Sequence, residues 1–187
     1  MPLILFNKPF NVLCQFSAQD GRQTLADYVK VPGVYPAGRL DADSEGLMLL
    51  TDDGKLQHQI AHPDHKEAKT YLVQVDGVVE AAALARLQAP IDLGDFVTKP
   101  CRAVQIAEPE WLWPRNPPIR TRADKPTSWI AITLEEGKNR QVRRMTAAVG
   151  LPTLRLVRSS IGPFGLATHP LMPGEFLDVA SELKRTK

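Results

Sequence analysis

The sequence predicts an α+β fold built on a largely antiparallel or mixed sheet. Apolar segments of strand character outnumber helical ones, and their order does not alternate as parallel βαβ units would. The chain has 187 residues, of which 43% are hydrophobic and 24% are charged, as is usual for a globular protein. This length is sufficient for one domain with a sizeable core, which can have two lobes.

Short apolar runs and alternating patterns locate the strands. Segments rich in β-branched and aromatic residues, bounded by turn residues, predict strands at 3–6, 12–16, 47–50, 69–75, 100–106, 128–134, 154–160 and 176–179.

Three segments predict short helices. Residues 23–29 and 55–61 have helical character, and Pro63 is expected to end the second of them. Residues 79–87 are rich in alanine, which has the highest helix propensity.

A fourth helix is predicted in a basic segment near residue 140. We expect Asn139 to cap it and Gly150 to end it. Four residues recur at helical spacing and predict its buried face: Val142, Met145, Thr146 and Val149. Arg143 is adjacent to that face and is expected to reach inward. Arg140 and Arg144 are four apart on a more polar side, which suits either phosphates or plain solvation.

The charged residues are distributed unevenly along the chain. Residues 1–100 carry 9 lysines and arginines against 13 acids, whereas residues 101–160 carry 11 against 5. Nine of those 11 cations are arginine, the side chain best suited to forked phosphate contacts and to stacking on bases. The basic half therefore predicts a surface that faces nucleic acid, with a solvated basic face as the alternative.

The composition disfavours several classes of protein. Cys14 and Cys101 are too few and too distant for a disulfide framework, and we expect reduced core thiols. The N-terminus lacks a signal-peptide pattern, and no apolar run approaches membrane-spanning length. His62 and His65 lack the spacing of a zinc site and are expected in a surface turn. These features predict a cytoplasmic protein that has no metal and does not associate with a membrane.

The segment from Gly38 to Gly54 carries the strongest functional signal. Asp41 precedes a glycine-containing turn and the apolar run 47–50. We therefore expect Asp41 on a loop held by a buried strand, where catalytic carboxylates are common.

Two other functions of this acidic segment are disfavoured. Its acids and Gly46 match five positions of a calcium loop, but residues 34–38 cannot form the helix that enters such a loop. A glycosidase needs two carboxylates that converge on one bond, and we expect Asp41 to work alone. Turn and surface roles are expected for the remaining acids: Asp43, Glu45, Asp52 and Asp53.

Tyr71 and the proline-rich segment 109–126 each allow two interpretations. Tyr71 lies within a predicted strand and is either a core aromatic residue or a ring that stacks on a nucleobase. The segment 109–126 has five prolines, two tryptophans and four cations, too many prolines for a helix or central strand. It is either part of an RNA-recognition surface or a loop whose tryptophans pack against the sheet. The residues considered for recognition are Trp111, Trp113, Arg115, Arg120 and Arg122.

Four motifs occur in an order and at spacings that resemble those of the RsuA-type ribosomal RNA pseudouridine synthases. They are Asn7-Lys8-Pro9, Gly38-Arg39-Leu40-Asp41 with the run Gly46 to Gly54, Lys69-Thr70-Tyr71, and Glu136 to Met145. The resemblance spans roughly residues 3–180, and residues 111–120 are similar to those of members that act on the large ribosomal subunit.

The resemblance implies both a fold and a reaction. The fold is the pseudouridine synthase catalytic fold as one domain over residues 1–187, with a mostly antiparallel mixed sheet, two lobes and an active-site cleft between them. No separate N-terminal RNA-binding domain is expected. The reaction isomerises a uridine to pseudouridine within large-subunit (23S) ribosomal RNA, without a cofactor or metal, and we expect a monomer. The alternative is a non-catalytic RNA-binding or ribosome-assembly module of the same fold.

The resemblance also implies roles for individual residues. Asp41 is the essential carboxylate, which attacks the sugar, adds to the base or removes a ribose proton. Tyr71 stacks on the target base and accepts the proton lost from carbon 5. Arg143 pairs with Asp41, and Arg144 is the rival for that pairing. Contacts with the substrate are implied for Lys8, Arg39, Leu40, Lys69, Arg140 and Arg144.

Overall fold

A computed structural model describes residues 1–61, 67–120 and 124–182 of the protein. Its strands are β1 (Leu3–Lys8), β2 (Tyr35–Pro36), β3 (Glu45–Thr51), β4 (Lys69–Asp76), β5 (Arg102–Ile106), β6 (Thr127–Leu134), β7 (Thr153–Ile161), β8 (Phe164–Gly165) and β9 (Phe176–Asp178). Its helices are a 3-10 turn (Leu25–Asp27), α1 (Gly54–Ala61), α2 (Ala81–Gln88) and α3 (Gln141–Ala148). The three α-helices of these ranges have eight residues each, and no described helix is long and apolar enough to cross a membrane.

The described residues form two compact units. Unit 1 comprises residues 1–67 and 159–187, and unit 2 comprises residues 68–158. Asp41 belongs to unit 1, whereas Tyr71 and α3 belong to unit 2.

Unit 1 is organised by two strands that are buried along their whole length. β1 and β3 pair antiparallel, from Leu3 opposite Thr51 to Lys8 opposite Gly46. β2 pairs with β3, and β9 lies along the other side of β1, both antiparallel. Because both faces of β3 are covered, its sequence is a continuous apolar run rather than an alternating pattern.

Unit 2 has its own apolar core. Its strands follow the order β5, β6, β4 and β7, and β6 pairs antiparallel with both β4 and β5. Val73 and Val75 of β4 pack with Ile130 and Ile132 of β6 in this core. Helix α2 packs against β5, and α3 adds its buried face to the same core.

These elements confirm the predicted α+β class with mostly antiparallel strands. Seven of the eight predicted strands are present, with ends shifted by one or two residues. The helix predicted at 55–61 forms as α1. The helix predicted at 23–29 is shorter than expected and consists only of the 3-10 turn Leu25–Asp27. Pro63, His62 and His65 lie outside the described residues.

The strand predicted at 12–16 is wrong. Leu13 makes a single bridge to Thr24, with its amide donating to the carbonyl of Gln23 at 2.9 Å. The partner segment turns into the 3-10 helix directly after Thr24, whose amide donates to Asp27 Oδ2 at 2.7 Å. No ladder can extend past that point, because the partner backbone has left the extended conformation.

The predicted cap of the fourth helix is also wrong. Helix α3 begins at Gln141, and the residue before it is Arg140 in the left-handed conformation at φ 51°. The predicted buried face is correct for Val142, Met145 and Thr146, which are buried. Val149, its fourth predicted residue, follows the helix and is only partly buried against the same core. Gly150, at φ 79°, follows the end of the helix as expected.

Candidate active site

Asp41 lies in a turn that leads from β2 into β3. The amide of Ser44 donates to the carbonyl of Asp41 at 3.1 Å, which closes the turn. The amide of Asn11 donates to the carbonyl of Ala42 at 2.7 Å and ties the turn to a second loop. Asp41 itself is half-buried, at the end of a strand that is fixed in the core. This is the rigid placement that a reactive carboxylate needs.

Lys8 is buried completely beneath this turn. Its Nζ donates to the carbonyl oxygens of Pro9 and Val12 at 2.9 Å each and to that of Ala42 at 3.3 Å. These carbonyls replace much of the water that a buried ammonium loses. Contact with the substrate had been expected for Lys8. We infer instead that it braces the loop that carries Asp41.

The Gly38-Arg39-Leu40-Asp41 motif divides into residues of different exposure. Arg39 is exposed, Leu40 is 7% exposed and packs as part of the core, and Asp41 is intermediate. Leu40 therefore anchors the loop from below, while Arg39 is presented at the surface.

Gly46, the second residue of β3, adopts a backbone conformation that favours glycine. Its φ is 107°, a conformation that residues with a Cβ rarely adopt, and it pairs with Lys8 in the ladder. A glycine at this position lets the chain turn from the Asp41 loop into the buried strand.

The neighbouring acids have structural roles, one of which differs from expectation. Glu45 is 2% exposed and begins β3, so its predicted surface role is wrong. Asp53 caps α1, its Oδ1 accepting the amides of Lys55 at 2.8 Å and Leu56 at 3.3 Å.

A calcium loop is incompatible with the position of these acids. The seven residues of β3 separate Asp43 from Asp52 by roughly 20 Å, so the two carboxylates cannot share an ion. The described residues contain no cluster of three or more metal-binding side chains.

Tyr71 lies on β4 in unit 2. The residue is half-buried and packs against the apolar core. The inner part of its side chain is therefore fixed, while the outer part remains accessible. Lys69 is two residues earlier on the same strand and therefore lies on the same face. β4 thus presents an aromatic ring and a cation together.

Arg144 is held within unit 2. Its guanidinium forms a forked ion pair with both carboxylate oxygens of Asp95, with Nη1 3.2 Å from Oδ2. Nη2 also donates to the carbonyl of Leu93 at 2.7 Å, and the guanidinium lies 5.2 Å from the centre of the Phe96 ring. The hydrogen bond from Arg144 holds the pKa of Asp95 below its usual range.

The other two arginines of this segment are placed differently. Arg140 is exposed, and Arg143 is half-buried on α3 with its Nε shielded from solvent.

Glu136 and Gln141 form a buried pair that the sequence analysis missed. Gln141 Nε2 donates to Glu136 Oε1 at 2.6 Å, and the same oxygen accepts the amide of Lys99 at 2.8 Å. Gln141 Oε1 in turn accepts the amide of Lys138 at 3.1 Å. The pair fixes the start of α3. Its only signal in the sequence is that both residues belong to the motif from Glu136 to Met145.

The two tryptophans of the 109–126 segment behave differently. Trp113 is buried; its carbonyl accepts Nη2 of Arg155 at 2.8 Å, and the Arg155 guanidinium lies 5.8 Å from its ring centre. Trp111 is 41% exposed, with its ring centre 6.4 Å from that of Trp113. The packing interpretation therefore fits Trp113, while Trp111 remains available for recognition.

The arginines of this segment also differ in availability. Arg115 donates to carbonyls of its own loop, at 2.8 Å to Pro117 and 3.4 Å to Pro118. Arg120 is exposed, and Arg122 lies outside the described residues.

Comparisons with known proteins agree on one family. The family model described as RNA pseudouridylate synthase matches residues 2–148. Ribosomal large subunit pseudouridine synthase E of Vibrio parahaemolyticus is 52% identical over 177 residues, which are 95% of this chain and 73% of that protein. The protein of the same name from Xanthomonas axonopodis pv. citri is 52% identical over 166 residues, which are 88% of this chain and 87% of that protein. A crystal structure of a pseudouridylate synthase is similar with a TM-score of 0.79 and 30% identity, covering 98% of this chain and 72% of that one.

Proposed function

We propose a catalytic function from one premise: the chain belongs to the RNA pseudouridylate synthase family. It isomerises a uridine to pseudouridine in large-subunit ribosomal RNA. The relatives that are about half identical over most of the chain are named for that activity, which supports the choice of substrate. The reaction needs no cofactor, and we propose that the protein acts as a monomer in the cytoplasm.

The main observation that supports the proposal is that the loop of Asp41 is held in place by its neighbours. A carboxylate on a loop fixed by β3, Leu40 and Lys8 has the preorganisation that a nucleophile or base requires. In the isomerisation the bond from ribose C1′ to the base nitrogen N1 breaks, the base turns, and C1′ bonds to C5. The proton at C5 leaves and N1 gains one, so no atom is added or removed overall.

Tyr71 is proposed to stack on the base and to accept the C5 proton. A target base inside a helix must first leave the stack, which costs roughly a few kcal/mol. Base–aromatic stacking contributes about 1–3 kcal/mol and offsets much of that cost. A ring that is anchored in the core, as Tyr71 is, loses little further entropy on binding.

Arg143 is proposed as the cationic partner of Asp41. A guanidinium beside the carboxylate can orient it through forked hydrogen bonds, and attack on the sugar, addition to the base and proton removal all require an oriented carboxylate. The assignment to Arg143 rather than Arg144 is supported by the contacts of Arg144 with Asp95, Leu93 and Phe96.

The RNA backbone is proposed to contact exposed cations of both units. Arg39 in unit 1 and Arg140 in unit 2 are exposed, and Lys69 shares a strand face with Tyr71. Trp111 and Arg120 are further exposed candidates in unit 2. Such contacts contribute affinity that falls as salt concentration rises.

Pseudouridine mapping in cells tests the function. Ribosomal RNA from a strain that lacks this protein should miss one pseudouridine, and wild-type protein should restore it. Asp41→Asn keeps the size of the side chain but removes its charge, and it should restore nothing. Asp52→Asn, the same change at an exposed position after β3, is the matched control and should restore the site. Full restoration by Asp41→Asn would favour the non-catalytic RNA-binding alternative.

A further inference from the structure

The loop formed by residues 91–99 contacts α3 directly at one point and through Glu136 at a second. Leu93 and Asp95 bind Arg144 in the middle of the helix, and Phe96 lies against the same guanidinium. The amide of Lys99 donates to Glu136, which accepts Gln141 at the start of the helix.

The loop is itself fixed to the core of unit 2. Ile91 and Thr98 are both buried, and their backbones pair, with the amide of Thr98 donating to the carbonyl of Ile91 at 2.9 Å. The hydroxyl of Thr98 accepts the amide of Ile91 at 2.9 Å. Asp92 Oδ1 accepts the amide of Gly94, whose φ of 94° allows the tight turn. The loop can therefore act as a rigid support for α3.

We propose that Asp95 and Arg144 are positioning residues that fix the rotation of α3 and so the direction in which Arg143 points from the helix. This inference rests on the proposed function. Successive residues on a helix point about 100° apart, so holding Arg144 on the side of the 91–99 loop sets the direction of Arg143. The same contact holds the Arg144 guanidinium against the 91–99 loop.

The geometry of the contact suits positioning more than stability. The Asp95 side chain is 66% exposed, and exposed ion pairs contribute little to folding free energy. A forked guanidinium–carboxylate pair is nevertheless specific in direction, and here a carbonyl and an aromatic ring restrict the guanidinium further. Loss of the pair should therefore change catalysis while leaving the protein folded.

Steady-state kinetics on a ribosomal RNA fragment test the proposal. Asp95→Ala should lower kcat about tenfold with KM nearly unchanged, because a small misplacement of a catalytic group is costly. Asp95→Glu keeps the carboxylate and should recover part of kcat.

Controls make each outcome decisive. Glu108→Gln removes a different exposed charge from unit 2 and should leave kcat and KM as in the wild type. The proposal is overturned if Asp95→Ala keeps the wild-type kcat. It is also overturned if Arg144→Gln only raises KM and reduces the salt dependence, because Arg144 would then bind phosphate. Failure of the wild type to form pseudouridine would instead count against the proposed function.

Discussion

The ammonium group of Lys8 lies 3.3 Å from the carbonyl oxygen of Ala42, the residue that follows Asp41. Two further carbonyls accept from the same Nζ at 2.9 Å, and the whole side chain is shielded from solvent. A charge that the sequence places near the N-terminus thus contacts the backbone next to the candidate catalytic carboxylate.

Lys8→Met should damage both stability and catalysis. The thioether fills a similar volume but donates no hydrogen bond, which leaves buried carbonyls unsatisfied. We expect a loss of about 1–3 kcal/mol in the free energy of unfolding, measured with urea. We also expect kcat to fall at least about tenfold as the Asp41 loop loosens. Lys55→Met, at an exposed lysine of α1, should change neither quantity.

Gly46→Ala should destabilise the entry into β3. At φ 107° a Cβ is strained, and we expect a cost of about 1–3 kcal/mol in unfolding free energy. Gly54→Ala is the matched control, since an added Cβ there meets no atom within 4 Å and the backbone is helical. That control should be neutral or stabilising by up to about 1 kcal/mol. Equal effects of the two substitutions would show that the backbone at Gly46 is not strained.

Arg140→Gly should separate the effect of Arg140 on stability, which comes from its backbone conformation, from its effect on RNA binding, which comes from its charge. Its φ of 51° costs a non-glycine residue about 1 kcal/mol, so the glycine variant should be more stable than Arg140→Ala. Both variants lose the exposed guanidinium and should raise KM for RNA to a similar extent. Chemical unfolding and kinetics on one RNA fragment measure the two quantities independently. A less stable glycine variant would contradict the argument from the left-handed conformation.

Cys101 should be a poorly reactive thiol. Burial, together with the neighbouring charge of Glu136, raises its pKa to about 11. Because the unfolded pKa is about 8.5, the neutral thiol contributes stability that is present below pH 8.5 and is lost as pH rises toward 11. Alkylation at pH 8.5, followed by mass spectrometry, should be roughly a hundredfold slower at Cys101 than in the urea-unfolded chain. Similar rates in both states would show that the thiol is accessible and ionised.

The sequence predicts the elements whose signals are local. The run Leu47–Leu50 and the alternation in β4 mark strands because each pattern reflects burial along one segment. Most of the buried face of α3 is predicted correctly, but its first residue is not, because Arg140 adopts a left-handed conformation that no local sequence pattern indicates.

Contacts between residues distant in sequence could not be predicted in this way. The position of the Arg144 guanidinium depends on Asp95, which lies 49 residues from Arg144 in sequence. Lysine is a residue type that often binds phosphate, so the sequence alone suggests a substrate contact for Lys8. Its contacts with three carbonyl oxygens support the inference that it holds the Asp41 loop in place. These roles arise from packing, on which local sequence patterns carry no information.

Trp111 tests whether the 109–126 segment recognises RNA. The ring is 41% exposed, yet it lies against Trp113, which Arg155 fixes in the core of unit 2. A ring held in this way can stack on an unpaired base with little loss of entropy. Trp111→Ala should weaken binding of a ribosomal RNA fragment by about 1–3 kcal/mol, and Trp111→Phe should retain part of the affinity. Met172→Ala, at a methionine of unit 1 that is 54% exposed, should bind as the wild type does.

Arg120→Ala tests the electrostatic part of the same surface. Arg120 is exposed, whereas Arg115 donates to a carbonyl of its own loop. Replacement of Arg115 would therefore also remove a hydrogen bond within the loop, so Arg120 is the better residue for this test. Loss of one phosphate contact should reduce the slope of log Kd against log salt by about one. The effect should add to that of Trp111→Ala, because stacking and charge neutralisation act on different parts of the nucleotide. Wild-type affinity and salt dependence in both variants would leave the segment with a packing role only.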